Sequence, residues 1–255
     1  MKLTIIKVGG KVVEDPASLN VLLEDFAKIE GAKLLVHGGG RTATKLSADL
    51  GIEAKMVDGR RITDGETLKV VTMVYAGLVN KNIVAQLQKR QINAIGFSGA
   101  DLNIIKSVKR PVKDIDYGFV GDVVGVQTKV LLSLIEQGAT PVVCPITHDG
   151  NGQLLNTNAD TIASELACAL AKEVDVTLVY CFEKPGVLLD ANDDSTVIGT
   201  LDYDTFKQHQ ASGVIVEGMI PKLDNGFAAI RKGVRSVVIT NTDGLKNDGG
   251  THLKL

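Results

Sequence analysis

Short apolar runs alternate with longer amphipathic stretches along most of the 255-residue chain. The runs at 3–8, 33–37, 94–97 and 140–145 have the length and composition of buried strands. Between them, stretches such as 17–30 place leucine, phenylalanine and isoleucine at helical spacing on one face. Strands that alternate with helices are typical of βαβ units. The pattern therefore predicts an α/β fold with a mainly parallel central sheet.

The same patterns predict the remaining elements. Helices are expected at 42–50, 64–90, 126–137, 158–172, 202–211 and 219–232, strands at 174–180 and 236–240, a hairpin over 54–63, and a β-rich excursion through 118–125. Asp64 is the expected N-cap of the long helix. The strand at 236–240 is expected to be the last one in the chain.

The pattern of polar turns, helices and strands changes after about residue 173. We therefore expect an N-terminal lobe over 1–173 and a C-terminal lobe over 174–255. No proline- or serine-rich linker separates these lobes, so we expect one continuous sheet.

The composition limits the kinds of partner that the protein is expected to bind and the cellular compartment in which it is expected. The chain is 44% apolar and 23% charged, as soluble globular proteins are. Its formal net charge of −2 argues against nucleic acid or an anionic membrane as a partner. The chain opens with MKLTIIKVGG rather than a signal peptide and has no run of 18 apolar residues, so we expect a cytoplasmic protein. Its three cysteines lack C-x-x-C spacing and are expected to be buried, reduced thiols.

Two strand–glycine turn–helix units open the chain, at 7–11 and 37–40. A turn without Cβ atoms lets backbone N–H groups approach phosphate or carboxylate oxygens, and the following helix N-terminus adds partial positive charge. In a parallel sheet both turns project from the carboxyl ends of strands and face one crevice. The plainer interpretation is that the glycines only end the strands tightly.

The sequence around the second glycine turn also matches motifs of two enzyme classes, the dinucleotide-binding proteins and the α/β-hydrolases. Residues 38–43 match G-x-G-x-x-A with Asp58 beyond them, as in dinucleotide-binding proteins, although this is the second βα unit and the first has its own glycine turn. Residues 37–40 also match the oxyanion loop of some α/β-hydrolases, and Ser98 lies in GFSGA, close to a nucleophile elbow. That motif ends in alanine, and the potential bases, His209 and His252, lie in polar contexts. A Walker A loop is absent.

Two later segments carry further candidate residues. LNTNAD places Asn156, Asn158 and Asp160 before a predicted helix, which is more polar groups than N-capping by Asn158 requires. GMIPK places Lys222 at the start of another predicted helix, where the helix dipole and the ammonium group would attract phosphate together. Taken alone, Lys222 fits an ordinary solvated lysine better than a phosphate-binding one.

Eight such segments occur in order along nearly the whole chain: IIKVGGK (5–11), LVHGGGR (35–41), DGRRITD (58–64), GFSGAD (96–101), GFVGDV (118–123), LLNTNAD (154–160), PGVLLD (185–190) and EGMIPKL (217–223). Together they resemble the amino acid kinase family. GFVGDV and GMIPK point to its N-acetylglutamate-phosphorylating members rather than to those that act on carbamate, UMP or aspartate.

The resemblance implies an open αβα sandwich, with acetylglutamate on the N-terminal lobe and ATP with Mg²⁺ on the C-terminal lobe. The implied reaction is in-line transfer of the γ-phosphoryl group of ATP to the side-chain carboxylate, giving an acyl phosphate for arginine biosynthesis. A carboxylate is already ionised at neutral pH, so catalysis reduces to alignment and charge stabilisation. No dedicated metal cage is visible in the sequence, and Mg²⁺ is expected to arrive with ATP.

The resemblance also implies catalytic roles. Lys7 and Lys222 would neutralise the transferring phosphoryl group from opposite sides, and Asp160 would hold the two lysines in place. Gly10 and Gly39 would donate backbone N–H groups to the same oxygens.

The implied binding residues fall into two groups. The amino-acid substrate would be held by Gly39, Gly40, Arg61 and Asn156, with Arg61 pairing bidentately to the α-carboxylate. The nucleotide pocket would be lined by Glu183, Lys184, Pro185, Gly186, Val187, Leu188, Val214, Ile215 and Val216.

The sequence departs from the family pattern at two places. Phe182–Glu183 stands where a Ser/Thr-Asp pair is usual, which leaves the nucleotide contacts there open. Arg60 stands where an apolar residue usually precedes Arg61. Arg60 could bind a second carboxylate, as in N-succinylglutamate, or face solvent because neighbours on a strand point to opposite faces.

The N-terminus lacks the leading helix of the arginine-inhibited hexameric members. We therefore expect a homodimer that is insensitive to arginine, with the long helix after Asp64 as its contact. The rivals that remain open are a dinucleotide oxidoreductase, a Ser98 hydrolase and a catalytically silent ligand-binding relative. The presence of Lys7, Asp160 and Lys222 argues against the silent relative.

Overall fold

The computed structural model describes residues 1–57, 60–215, 219–247 and 249–255. They form two compact units, residues 1–33 with 163–255 and residues 34–162. The first strand and helix thus group with the C-terminal part of the chain. The assignment of one ligand to each predicted lobe, 1–173 and 174–255, stays a prediction.

Five strands form the sheet of the first unit, in the order β12-β14-β13-β11-β1. They are β1 (Lys2–Val8), β11 (Asp175–Cys181), β12 (Thr200–Asp202), β13 (Ser236–Thr240) and β14 (Thr251–Lys254). β1, β11 and β13 run parallel to one another and are mostly apolar and buried, as strands covered by helices on both faces require. The helices of this unit are α1 (Gly10–Glu14), α2 (Pro16–Lys28), α8 (Tyr203–Ala211), α9 (Ile220–Arg231), α10 (Thr242–Asn247) and most of α7 (Ala159–Leu170).

The prediction that 236–240 is the last strand is wrong. β14 follows it, pairing antiparallel with β13 and parallel with β12. Only alternate residues of β14 face the core, Thr251 and Leu253, both buried. A strand of four residues with one buried aliphatic side chain gives no apolar run that a sequence pattern would detect.

Most of the second unit is built on three parallel strands, β2 (Ala32–His37), β8 (Thr140–Val143) and β5 (Ala94–Phe97), with β8 between the other two. A smaller sheet has the order β10-β9-β6-β7 and contains β6 (Ile105–Lys109), β7 (Gly121–Val126), β9 (Ile146–His148) and β10 (Leu154–Asn156). The predicted hairpin is confirmed as β3 (Met56–Val57) and β4 (Arg60–Arg61). Its helices are α3 (Gly40–Asp49), α4 (Gly65–Thr72), α5 (Asn80–Lys89) and α6 (Thr128–Glu136).

The long helix predicted after Asp64 is confirmed, and it contains a π-helical segment, Met73–Val79, between α4 and α5. Asp64 caps it, because its carboxylate accepts the N–H of Thr67 at 2.8 Å. Among the described residues this helix alone, Gly65–Lys89, is long and apolar enough to cross a membrane by length and composition. The buried valines at 70, 71 and 74 indicate a core helix instead.

The predicted α/β class with mainly parallel central strands is confirmed. In the strand pairs described for the two central sets, only β13 and β14 run antiparallel. Both predicted glycine turns follow central strands, at the ends of β1 and β2, and each leads into a helix.

Candidate active site

The second glycine turn joins β2 to α3. Gly39 has a φ of 152°, a conformation that residues with a side chain rarely adopt. A Cβ atom there would lie 3.1 Å from Cδ1 of Tyr75 and 3.3 Å from Cγ2 of Val79. Backbone geometry and packing therefore both require glycine. The turn leaves the N–H groups at the start of α3 without intrahelical partners, which is the usual condition for binding an anion.

His37, at the end of β2, holds this glycine turn in place through hydrogen bonds. Its Nδ1–H donates to the Gly38 carbonyl at 2.7 Å, and its Nε2 accepts from Nδ2 of Asn80 at 3.0 Å. The Asn80 amide also donates to the Val142 carbonyl on β8 at 3.0 Å. Complete burial lowers the pKa of His37 from 6.5 to about 4, with Lys81 adding to the shift against the opposing hydrogen bond to Gly38. The imidazole is thus neutral and locked in one tautomer.

This depressed pKa predicts a pH-dependent stability. Neutral His37 stabilises the fold above pH 6.5, and that stability is lost as the pH falls towards 4, because only the unfolded chain then gains the proton. Urea unfolding at pH 7 and 4.5 should show that the wild type loses roughly 2 to 3 kcal/mol more than a His37→Gln variant. Equal losses in the two proteins would contradict this role.

Arg61, on β4, is buried against the same turn. Its Nη2 donates to the Gly40 carbonyl and to Oγ1 of Thr44, both at 2.8 Å. Its Nη1 is buried and has no hydrogen-bond partner within the described residues. A buried guanidinium N–H without an acceptor costs about 1–3 kcal/mol or more. Arg61 is therefore held by one terminal nitrogen, while the other lacks an acceptor within the described residues. Arg60, its neighbour, is exposed.

Asn156, on β10, is positioned by the segment that contains GFVGDV. Its Nδ2 donates to Oγ1 of Thr63 at 3.0 Å, and its backbone N–H donates to the Phe119 carbonyl at 2.8 Å. The Phe119 N–H in turn donates to the Thr63 carbonyl at 2.7 Å. Gly118 has a φ of 70°, and a side chain there would run into that same carbonyl, so glycine is needed for this approach.

Asn158 caps α7, as one of the sequence interpretations held. Its side-chain oxygen accepts the N–H groups of Asp160 at 2.8 Å and Thr161 at 3.1 Å. Asp160 therefore lies in the first turn of the helix, where a carboxylate is stabilised by the helix dipole.

These residues of the second unit surround one cavity of about 190 Å³. Its lining includes all four residues expected to bind the amino-acid substrate, namely Gly39, Gly40, Arg61 and Asn156. The other lining residues are Gly38, Met56, Arg60, Tyr75, Arg110, Val120, Pro145, Thr157, Asn158 and Ala159. Among the described residues, this lining contains three arginines and no acidic residue, so the cavity suits an anionic ligand.

The first unit carries the other candidate catalytic residues. Lys7 is buried near the end of β1, beside Tyr180 of β11 in the strand register, and Gly10 begins α1. The Gly9 N–H donates to the Cys181 carbonyl at 2.8 Å, which ties the first glycine turn to the end of β11. Lys222 lies in the first turn of α9, where the dipole of this 12-residue helix adds to its charge.

A second cavity of about 190 Å³ lies in the first unit. Its lining contains six of the nine predicted nucleotide residues, Lys184, Gly186, Val187, Leu188, Val214 and Ile215, together with Ala191 and Met219. The backbone there is fixed by the Val187 N–H, which donates to Oγ1 of Thr251 at 2.8 Å.

The other three predicted nucleotide residues differ in position. Glu183 pairs with Lys11 of α1 at 2.9 Å, and neither Glu183 nor Pro185 lines the cavity as described. Val216 lies outside the described residues, as do Asp58 of the dinucleotide interpretation and Gly218 of GMIPK.

Ser98 does not have the setting of a nucleophile. Its hydroxyl donates to Oδ2 of Asp101 at 2.7 Å, and its N–H donates to the same oxygen at 2.6 Å. The segment is thus a turn closed by an aspartate rather than a serine activated by a neighbouring base.

The comparison with known proteins decides between the enzyme classes. A model of the amino acid kinase family matches residues 2–241. The chain belongs to this family. The amino acid kinase match includes both glycine turns and Ser98, so the dinucleotide and hydrolase interpretations of these segments find no support.

Individual relatives narrow the branch of the amino acid kinase family. Acetylglutamate kinase of Phocaeicola vulgatus is 65% identical over 253 residues, which are 99% of this chain and 98% of that protein. Acetylglutamate kinase of Bacteroides fragilis (strain ATCC 25285) is 64% identical over 253 residues, which are 99% of this chain and 97% of that protein. The structure of carbamate kinase from Giardia lamblia bound to AMP-PNP has a TM-score of 0.72 at 13% identity, covering 99% of this chain and 98% of that chain. That similarity shows the fold alone.

Sequence reasoning missed three contributors to this amino acid kinase site. The His37–Asn80 pair supports the glycine turn, Tyr75 packs against Gly39, and Arg110 lines the cavity of the second unit. The apolar spacing of the long helix could have placed Tyr75 and Asn80 on its buried face. Nothing in the local sequence around Arg110 would have identified it.

Proposed function

We propose that this protein transfers the γ-phosphoryl group of ATP to the side-chain carboxylate of N-acetyl-L-glutamate, the acyl phosphate step of arginine biosynthesis. The observation that carries the proposal is the Arg61 side chain, which lines the cavity, is held by Nη2 on the glycine turn and has an Nη1 with no hydrogen-bond partner within the described residues. Identity of 64–65% to two acetylglutamate kinases over 99% of the chain supports the same activity.

In the proposed complex, Arg61 binds the α-carboxylate of the substrate through its remaining N–H groups. The Asn156 amide and the backbone at Gly39 and Gly40 orient the acetylamino group and the side chain. This leaves the γ-carboxylate outside these contacts and available for phosphorylation. Holding a reactant in one orientation replaces the entropy that a bimolecular encounter would otherwise lose.

The chemical step forms one bond and breaks one. An oxygen of the γ-carboxylate attacks the γ-phosphorus as the bond from that phosphorus to the β,γ-bridging oxygen breaks, and ADP leaves. No proton moves, so no general base is required. Lys7, Lys222 and the N–H groups of Gly10 and Gly39 stabilise the charge on the transferring oxygens, and Asp160 orients the lysines.

The nucleotide would occupy the second cavity, where Val187, Leu188, Val214 and Ile215 provide an apolar lining suited to a base. Within the described residues no cluster of three or more histidine, cysteine, aspartate or glutamate side chains could hold a metal ion. Mg²⁺ would therefore be bound mainly by phosphate oxygens and water, as Mg²⁺ in nucleotide sites commonly is.

The proposal includes a cytoplasmic homodimer without a nucleic-acid or membrane partner. Met73 and Leu78, on the long helix, are 53% and 62% exposed, which supports that helix as the subunit contact.

The test is a coupled ADP-release assay with ATP, Mg²⁺ and a panel of carboxylates, followed by hydroxamate trapping of the acyl phosphate. We expect turnover on N-acylglutamates and none on free glutamate, aspartate or carbamate. A protein that binds N-acylglutamates but turns over none of the panel would be the catalytically silent relative, and the proposal would fail.

A further inference from the structure

A second arginine in the lining of this cavity, besides Arg61, has a buried guanidinium nitrogen without a hydrogen-bond partner within the described residues. Arg110 follows β6 directly and lines the cavity, and its Nη1 is buried with no hydrogen-bond partner in the described part of the chain. Like the Nη1 of Arg61, it is a donor that protein atoms leave unsatisfied. Leaving such a charged donor buried without an acceptor is unfavourable in both cases.

The rest of the Arg110 side chain is firmly held. Asp122, on β7, accepts from Nη2 at 2.6 Å and from Nε at 3.1 Å. The guanidinium group lies 5.4 Å from the ring centroid of Tyr117. This two-point pairing fixes the plane of the guanidinium group, and the direction of Nη1 is thereby fixed as well.

Arg110 is also tied to the backbone that positions the substrate-binding residues. Its N–H donates to the Val120 carbonyl at 2.8 Å, and Val120 forms a bridge with Asn156. Arg110 and Asn156 thus lie on either side of the same short segment. Arg110 is built into the wall of the cavity, and it is not a mobile surface side chain that happens to reach it.

We propose that Arg110 is a specificity-determining residue that binds a carboxylate at the end of the N-acyl group, so that the preferred substrates are glutamates acylated with a dicarboxylic acid. The inference rests on the proposed kinase function and names its acyl subsite. An N-acylglutamate has an α-carboxylate for Arg61 and a γ-carboxylate that must face the phosphoryl donor. A third carboxylate is the group that matches the remaining buried guanidinium nitrogen.

The charge of the cavity lining favours a substrate whose N-acyl group ends in a carboxylate over one with a neutral acyl group. Within the described part of the chain the lining carries Arg60, Arg61 and Arg110 and no acidic residue, and Asp122, paired with Arg110 at 2.6 Å, offsets one of these charges. An acetyl methyl group would place an apolar surface against a fixed charged donor and leave it unsatisfied. A terminal carboxylate would supply the acceptor, and exposed Arg60 would add attraction at the rim.

The experiment compares kcat/KM for N-succinylglutamate and N-acetylglutamate in the wild type and in Arg110→Met. Wild type is expected to prefer the succinyl substrate. Arg110→Met is expected to lower the succinyl-to-acetyl ratio by about 10- to 100-fold, the range of a hydrogen bond to a charged group. Lys109→Met is the matched control: it removes a neighbouring positive charge from an exposed side chain outside the cavity lining, and the ratio should stay at the wild-type value.

Two further measurements keep the inference falsifiable. Arg110→Lys retains the positive charge but lacks the planar guanidinium group. Its succinyl-to-acetyl ratio of kcat/KM should lie between those of wild type and Arg110→Met. Equal losses on both substrates in a folded Arg110→Met, or a wild-type preference for the acetyl substrate that the variant keeps, would overturn the inference while the kinase function stands. Absence of turnover on either substrate in the wild type would overturn the kinase function itself.

Discussion

Replacing Lys222 with alanine is expected to lower kcat by about 100- to 1,000-fold, the effect of removing one preorganised charge-stabilising donor. Lys222 lies in the first turn of α9, so in the proposed reaction its ammonium group and the helix N-terminus would act on the same developing negative charge. The KM for the acyl glutamate should change little, because the substrate cavity is lined by residues of 34–162 and not by α9. Steady-state rates from the coupled ADP-release assay measure both quantities.

The same helix provides the control for Lys222. Lys232 is the C-cap residue of α9, is exposed, and pairs with Glu165 at 3.7 Å. Lys232→Ala removes the same charge from the opposite end of the helix, and kcat should remain within about twofold because exposed ion pairs contribute little. If Lys222→Ala lowered kcat no more than Lys232→Ala does, the role proposed for Lys222 would be wrong.

The parts of the fold that sequence patterns predicted are those fixed by local periodicity. The buried strands and the Asp64-capped helix depend on spacing within a few residues, and both were predicted closely. β14 was missed because its position depends on pairing with β12 and β13, far away in sequence. The π-helical segment Met73–Val79 was missed for a different reason, since one extra residue per turn hardly changes an apolar pattern.

The residues of the candidate site also fall into two groups, those that the local sequence identifies and those whose position depends on distant parts of the chain. Glycine turns are visible in sequence because a required absence of side chains leaves glycines next to one another. Arg61 was identified through its motif, and the structure adds that its Nη2 is held on the glycine turn while its Nη1 is buried with no hydrogen-bond partner within the described residues. Arg110 could not be identified in this way, since its place in the cavity depends on β6 pairing with β7 and on Asp122, 12 residues further along the chain.

The glycine turn itself gives the last prediction, because neighbouring glycines provide a matched pair of variants. Gly39→Ala is expected to lower kcat/KM by about 100-fold or more, since the proposed N–H donor to the transferring phosphoryl group would move. The residue has a φ of 152°, and its new methyl group would meet Tyr75 and Val79 at 3.1 and 3.3 Å. At Gly38 the same methyl group would have no heavy atom within 4 Å, so Gly38→Ala should stay within about tenfold of wild type.

A second variant separates the two causes in Gly39→Ala. Adding Tyr75→Leu removes the ring that the new methyl group meets but leaves the unfavourable backbone conformation, which costs on the order of 1–3 kcal/mol. If packing dominates, the double variant should regain activity relative to Gly39→Ala. If backbone conformation dominates, it should not, and the thermal midpoint of Gly39→Ala should remain lowered in both. Wild-type kcat/KM in Gly39→Ala would show that the turn tolerates a side chain, and that the N–H of Gly39 is not held in one direction by its conformation.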